Sequence, residues 1–67
     1  MINAVMLNEK VHASNLTVTK LAKAIGMHRR TYYKKLKGER YFVLGEIWEI
    51  RKALNLTKED VYNIFIT

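Results

Sequence analysis

Six basic residues stand between positions 29 and 40: Arg29, Arg30, Lys34, Lys35, Lys37 and Arg40. Guanidinium and ammonium groups at this density suit an extended polyanion, and nucleic-acid phosphates fit best. An Arg can also read a base edge, donating two bonds to guanine O6 and N7. Tyr32 and Tyr33 lie among these cations. Their rings could stack on bases or pack in a core, the second reading being the stronger for Tyr32. His12 and His28 have no Cys and no suitably spaced carboxylate beside them, so no metal site is expected. Nothing resembles a nucleophile–base pair or a phosphate-cradling Gly loop, so the residues point away from an enzyme, a cofactor or a small-molecule substrate.

The basic character is local. Residues 1–19 hold Glu9 and Lys10 and are neutral. Residues 20–40 add Lys20 and Lys23 to the six cations against Glu39 alone, a net of +7. Residues 41–67 balance Arg51, Lys52 and Lys58 against Glu46, Glu49, Glu59 and Asp60, a net of −1. The whole surplus of +6 therefore belongs to one third of a 67-residue chain. Like charges crowded together repel, and a dense anionic partner is the usual compensation. A solvated basic face is the plainer alternative.

The elements that must position these cations read as helices. No segment alternates with period two, whereas helical stripes and stop signals recur. Leu7 and Val11 share a face, giving a first helix over about 4–13, punctuated by Ser14-Asn15. Thr17 can cap a second helix with a stripe of Leu21, Ala22 and Ile25, and Gly26 ends it with a left-handed residue. A third, over about 28–37, has only Tyr32 and Leu36 as its apolar pair and stops at Gly38. Held by one edge, it offers its other faces outward. Leu44, Ile47, Ile50 and Leu54 give a fourth over about 43–54, with Trp48 at the core edge or at a dimer contact. Thr57 with Asp60 forms a capping box for a fifth, whose buried side is Val61, Ile64 and Phe65. The expectation is an all-α fold, a compact five-helix bundle in a single domain over 1–67.

Residues 17–38, TVTKLAKAIGMHRRTYYKKLKG, read helix, tight turn, helix. Ala22 is small where the two helices approach, Gly26 turns the chain, and Tyr32 returns an apolar group to the core. That spacing is what a helix-turn-helix needs for one helix to brace another in the major groove.

This stretch resembles the phage-repressor and Cro class (XRE-type) of bacterial helix-turn-helix regulators. The likeness extends over about 7–66, through Phe42, Glu46-Ile47, Leu54-Asn55-Leu56-Thr57 and Ile64-Phe65, a pattern similar to small prophage-type regulators. It implies a lambda-repressor-like fold and a sequence-specific transcriptional regulator that occupies an operator on double-stranded DNA. By the same resemblance, Arg29 and Arg30 meet base edges, with Tyr33 and Lys34 one turn further. Thr31 meets a phosphate or a thymine methyl, and Thr17 meets the backbone at the start of the bracing helix. Lys35, Lys37 and Arg40, near the helix end and turn, are placed for phosphates. Three positions depart from the pattern: Val18 replaces a frequent Gln, His28 a Ser or Thr cap, and Val43 a capping Thr. These departures motivate a second reading, an antirepressor that docks on a partner phage repressor through the same surface.

The end of the chain, Val61-Tyr62-Asn63-Ile64-Phe65-Ile66, is more apolar than one buried face needs. Tyr62 and Ile66 fall on a different side from Val61 and Phe65, as a homodimer contact would require, though sealing a small core would also use them. No apolar run approaches the roughly 20 residues of a membrane span, and no basic-then-apolar leader opens the chain. A cytoplasmic protein without a membrane partner is expected, with no room for ligand sensing.

Overall fold

A computed structural model describes residues 2–66. These residues form five α-helices: α1 (Ala4–Ala13), α2 (Val18–Ala24), α3 (Arg29–Leu36), α4 (Leu44–Leu54) and α5 (Lys58–Val61). A π-helical turn, Tyr62–Ile66, follows α5 directly, and no strand occurs among the described residues. The architecture is the all-helical one expected. His28 and Val43 stand just outside α3 and α4 as cap residues. None of these helices is long and apolar enough to cross a membrane.

The helix ends follow from their capping residues. Asn3 starts α1, its Oδ1 accepting from the Met6 amide at 3.1 Å. The Thr17 hydroxyl oxygen accepts from the Lys20 amide at 3.1 Å and starts α2. At the end of α2, Gly26 takes φ +73°, and two reverse bonds close a Schellman motif. The Met27 amide donates to the Ala22 carbonyl (2.9 Å) and the Gly26 amide to that of Lys23 (3.1 Å). Gly38, at φ +89°, ends α3 by the same pattern, with Glu39 donating to the Lys34 carbonyl at 3.0 Å. Asn55 takes the left-handed conformation after α4, where Leu56 donates to the Arg51 carbonyl at 3.0 Å. The Arg51 Nε returns a bond to the Leu56 carbonyl at 3.2 Å.

The core gathers an apolar pair from each of α1–α4, with Leu56 from the last connection and Ile64 from the C-terminal turn. Leu7, Leu21, Tyr32, Ile50 and Ile64 are fully buried, joined by Val11, Ala22, Leu36, Leu54 and Leu56. Each full-sized aliphatic side chain among them contributes about 1.5–3 kcal/mol by leaving water. Among the described residues Tyr32 is the largest buried side chain, and its hydroxyl has no hydrogen-bond partner there. Burial, with the neighbouring Tyr33 phenol adding to it, pushes the Tyr32 hydroxyl up to a pKa of about 12.

Two sequence expectations change. The last segment is not one regular helix: after a single α turn the backbone widens at Tyr62. The widened turn has Ile64 fully buried, and its carbonyl accepts from the Asn3 amide at 2.7 Å, tying the two chain ends together. Tyr62 and Ile66 stay exposed, while Val61 and Phe65 are half-buried. Trp48 is more exposed than a core-edge residue, at 54%, because it lies on the outward face of α4. There the Arg51 guanidinium covers its ring at 4.9 Å.

Candidate nucleic-acid interface

The interface is built on α3. Tyr32 and Leu36, four residues apart, turn its inner face into the core. By helical geometry Arg30 and Lys34 share the opposite face, and Lys37 continues their row one turn on. Behind that row an aromatic series holds the helix. Tyr33, Tyr32, Phe42 and Phe65 meet edge to face in sequence, with centroids 6.0, 5.8 and 5.6 Å apart. Contacts of this geometry favour the positive ring edge against the negative ring face. They connect α3, the Gly38–Val43 connection and the C-terminal turn, so the outer face of α3 rests on a rigid back.

Arg29 and Arg30 occupy the first turn of α3, are exposed, and have no acidic residue in that turn. The Arg29 guanidinium lies over the Tyr33 ring at 5.6 Å, a cation–π contact four residues apart. Tyr33 is half-buried, so it both supports Arg29 and rests against Tyr32. His28 sits at the cap position with extended backbone, and its side chain makes no cap bond. The leading amides of α3 thus lack a side-chain acceptor, and two cations stand at the positive end of the helix dipole. That arrangement is unfavourable for an isolated helix and favourable for an approaching anion.

Lys37 and Arg40 are exposed and form no ion pair among the described residues. Thr31 and Lys34 are half-buried on α3, and Thr17 is exposed at the start of α2. Val18, one of the three positions that depart from the expected pattern, packs against the core. The structure thus brings Arg29, Arg30, Lys34, Lys37 and Arg40 onto or beside one helix, with Thr17 on the bracing helix.

Lys35 departs from its expected place among the phosphate contacts. Its ammonium donates to both Glu46 carboxylate oxygens, at 2.6 and 2.8 Å, and its side chain is only 11% exposed. Glu46 Oε1 also accepts from the Val43 amide at 2.9 Å, the half of a capping box that remains when the cap residue, Val43, has no side-chain acceptor. Desolvation alone would raise the Glu46 carboxyl. The bonds from Lys35 and Val43, with the lysine charge, outweigh it and hold the carboxyl below its ordinary value. The pair joins the end of α3 to the start of α4. The sequence marks Glu46 only as part of the family-like pattern and not as the partner of Lys35, which lies eleven positions away, off any local helical spacing.

Three cations outside this region are used differently. Lys10 reaches Asp60 at 3.5 Å, Lys52 reaches Glu49 at 3.1 Å, and Arg51 serves Leu56 and Trp48. No cluster of three or more His or acidic side chains among the described residues could hold a metal. What the α3 face can do is present fixed cations and free helix-end amides to a polyanion. Neither a curated protein nor a solved structure matches the chain. A family model for the Cro/C1-type helix-turn-helix DNA-binding domain matches residues 6–65, and the chain belongs to that family.

Proposed function

We propose that the protein is a sequence-specific regulator of the phage-repressor or Cro type that occupies an operator on double-stranded DNA. One observation carries this reading: the first turn of α3 leaves its amides uncapped beneath Arg29 and Arg30. In that reading α3 enters the major groove, where Arg29, Arg30, Tyr33 and Lys34 meet base edges. Thr17, Thr31, Lys37 and Arg40 hold phosphates and fix the register. Lys35 we assign to positioning α3 through Glu46, rather than to phosphate. The domain acts as one unit over 1–67. A second copy pairs through Tyr62 and Ile66, which are 57% and 63% exposed. Such a dimer suits half-sites about one helical turn apart.

A second reading, docking on a partner phage repressor through the same helix-turn-helix surface, draws on the uncapped start of α3 and on Val18, which cannot make a Gln-type phosphate contact. Selection of binding sites from random duplex DNA, with the protein's mass measured in solution, separates the two. An enriched palindrome bound by a dimer is the expected result. No enrichment, with tight binding to a repressor, would replace the operator reading with the docking one.

A further inference from the structure

Ile2, Phe65, Ile47 of α4 and the connection that follows α3 line a half-open cleft of about 390 Å³. Its walls are Ile2, Phe42, Ile47 and Phe65, and its rim carries Lys37 and Arg40. That volume lies in the range of small-molecule sites, about 300–1,000 Å³, which combine apolar walls with a few charged groups. The two rim cations have no ion pair among the described residues, whereas Lys35, which also reaches the cleft, is neutralised by Glu46. A DNA phosphate would use the rim and leave the walls wet. Only a ligand with an apolar body and one anionic end uses both.

We propose that this cleft binds a small amphipathic carboxylate, its apolar body between Phe42, Ile47 and Phe65 and its carboxylate at Lys37 and Arg40. The cleft supplies the room for ligand sensing that the chain length seemed to deny. Because the same two cations hold phosphate in the DNA reading above, an occupied cleft competes with DNA. That second step rests on the proposed function, while the binding step stands without it.

The test titrates the 67-residue chain with decanoate, decanol and decylammonium, following backbone amide shifts by NMR. Decanoate is expected to saturate and to move Gly38, Arg40–Phe42, Ile47 and Phe65. Lys37→Ala with Arg40→Ala, two exposed positions, should weaken decanoate at least tenfold and leave decanol unchanged. Equal binding of all three probes, shifts elsewhere on the surface, or no saturable shift would overturn the site. Because this arm contains no DNA, its failure is distinct from failure of the operator reading. In a second arm, saturating decanoate should weaken duplex binding at least threefold. Duplex affinity unchanged by a bound carboxylate would overturn the competition.

Discussion

Two helix starts in this molecule meet the same physical demand in opposite ways. At the start of α5, the Thr57 hydroxyl accepts from the Asp60 amide and the Asp60 carboxylate accepts from the Thr57 amide, both at 3.0 Å. Glu59 adds a second acid at the positive end of the dipole. The Thr57 amide, with Lys10 nearby, holds the Asp60 carboxyl below its ordinary value. At the start of α3 there is no side-chain cap and no acid, and two arginines stand where acids would stabilise. The first start is satisfied from within the chain. The second is left for an external anion, and several cations follow that division: Lys10, Arg51 and Lys52 are paired or stacked within the chain, whereas Arg30, Lys37 and Arg40 beside α3 form no ion pair or ring stack among the described residues. A contrast of this kind locates a binding face more sharply than net charge can.

The strongest way to break the comparison is to remove a free cation. Arg30→Ala should cost about 1–3 kcal/mol on a selected site and relax its sequence preference, with thermal stability unchanged. Lys37→Ala should weaken all duplexes about equally and lower the salt slope by about one. Equal losses on selected and random DNA for both variants would remove the base-reading role of Arg30.

The boundary between the two regimes is Lys35–Glu46. Glu46→Gln should destabilise the fold by about 1 kcal/mol at neutral pH, since a half-buried ammonium loses its charged acceptor. The wild-type carboxyl titrates lower when folded than when unfolded. Its contribution is therefore present above the ordinary carboxylate pKa and lost as pH falls through the lower, folded one. Urea melts across that acid window should converge for the two proteins. Parallel curves down to the lowest pH would show that the pair contributes nothing.

Exchanging the two kinds of helix start sharpens the comparison directly. His28→Asp supplies the missing cap and acid to α3 and should stabilise the fold by about 1 kcal/mol while weakening DNA binding roughly tenfold. Thr57→Ala should cost about 1 kcal/mol of stability and leave DNA affinity of the folded protein unchanged. A His28→Asp protein that is more stable and binds DNA as well as before would mean that the α3 amides are not reserved for an anion.

The smallest effect concerns the orphaned hydroxyl beneath α3. Tyr32→Phe keeps the ring and removes a buried group without a partner, so stability should hold or rise by up to about 1 kcal/mol. The folded pKa of about 12 lies above the unfolded value of 10.0. Below pH 10 the hydroxyl is neutral in both states; as pH rises from 10 towards 12 the unfolded phenol ionises first and the fold loses stability. Circular dichroism across that window should show a shallower alkaline decline in the variant.

Much of the fold was legible in the chain because it rests on local rules. The Leu7–Val11 face, the left-handed stops at Gly26 and Gly38, and the Thr57–Asp60 box all lie within one or two helical turns. The Tyr32–Leu36 pair with cations around it also foretold which face of α3 turns inward. Lys35 marks the limit of such local rules. A lysine near the end of a basic helix reads like its neighbours until a carboxylate on another helix is brought to 2.6 Å. Trp48 was similarly underdetermined, since a Trp beside an inward Ile can lie on either side of a wide apolar stripe.

The sequence by itself determined the helices, their stops, the location of the surplus charge and the two residues that anchor α3, because each depends on spacings of a few positions. Only the tertiary structure decided which cations stay free, where the last turn widens, and that Ile2, Phe42 and Phe65 face one cleft. Those outcomes depend on meetings between residues far apart in the chain, and packing, not local periodicity, arranges them.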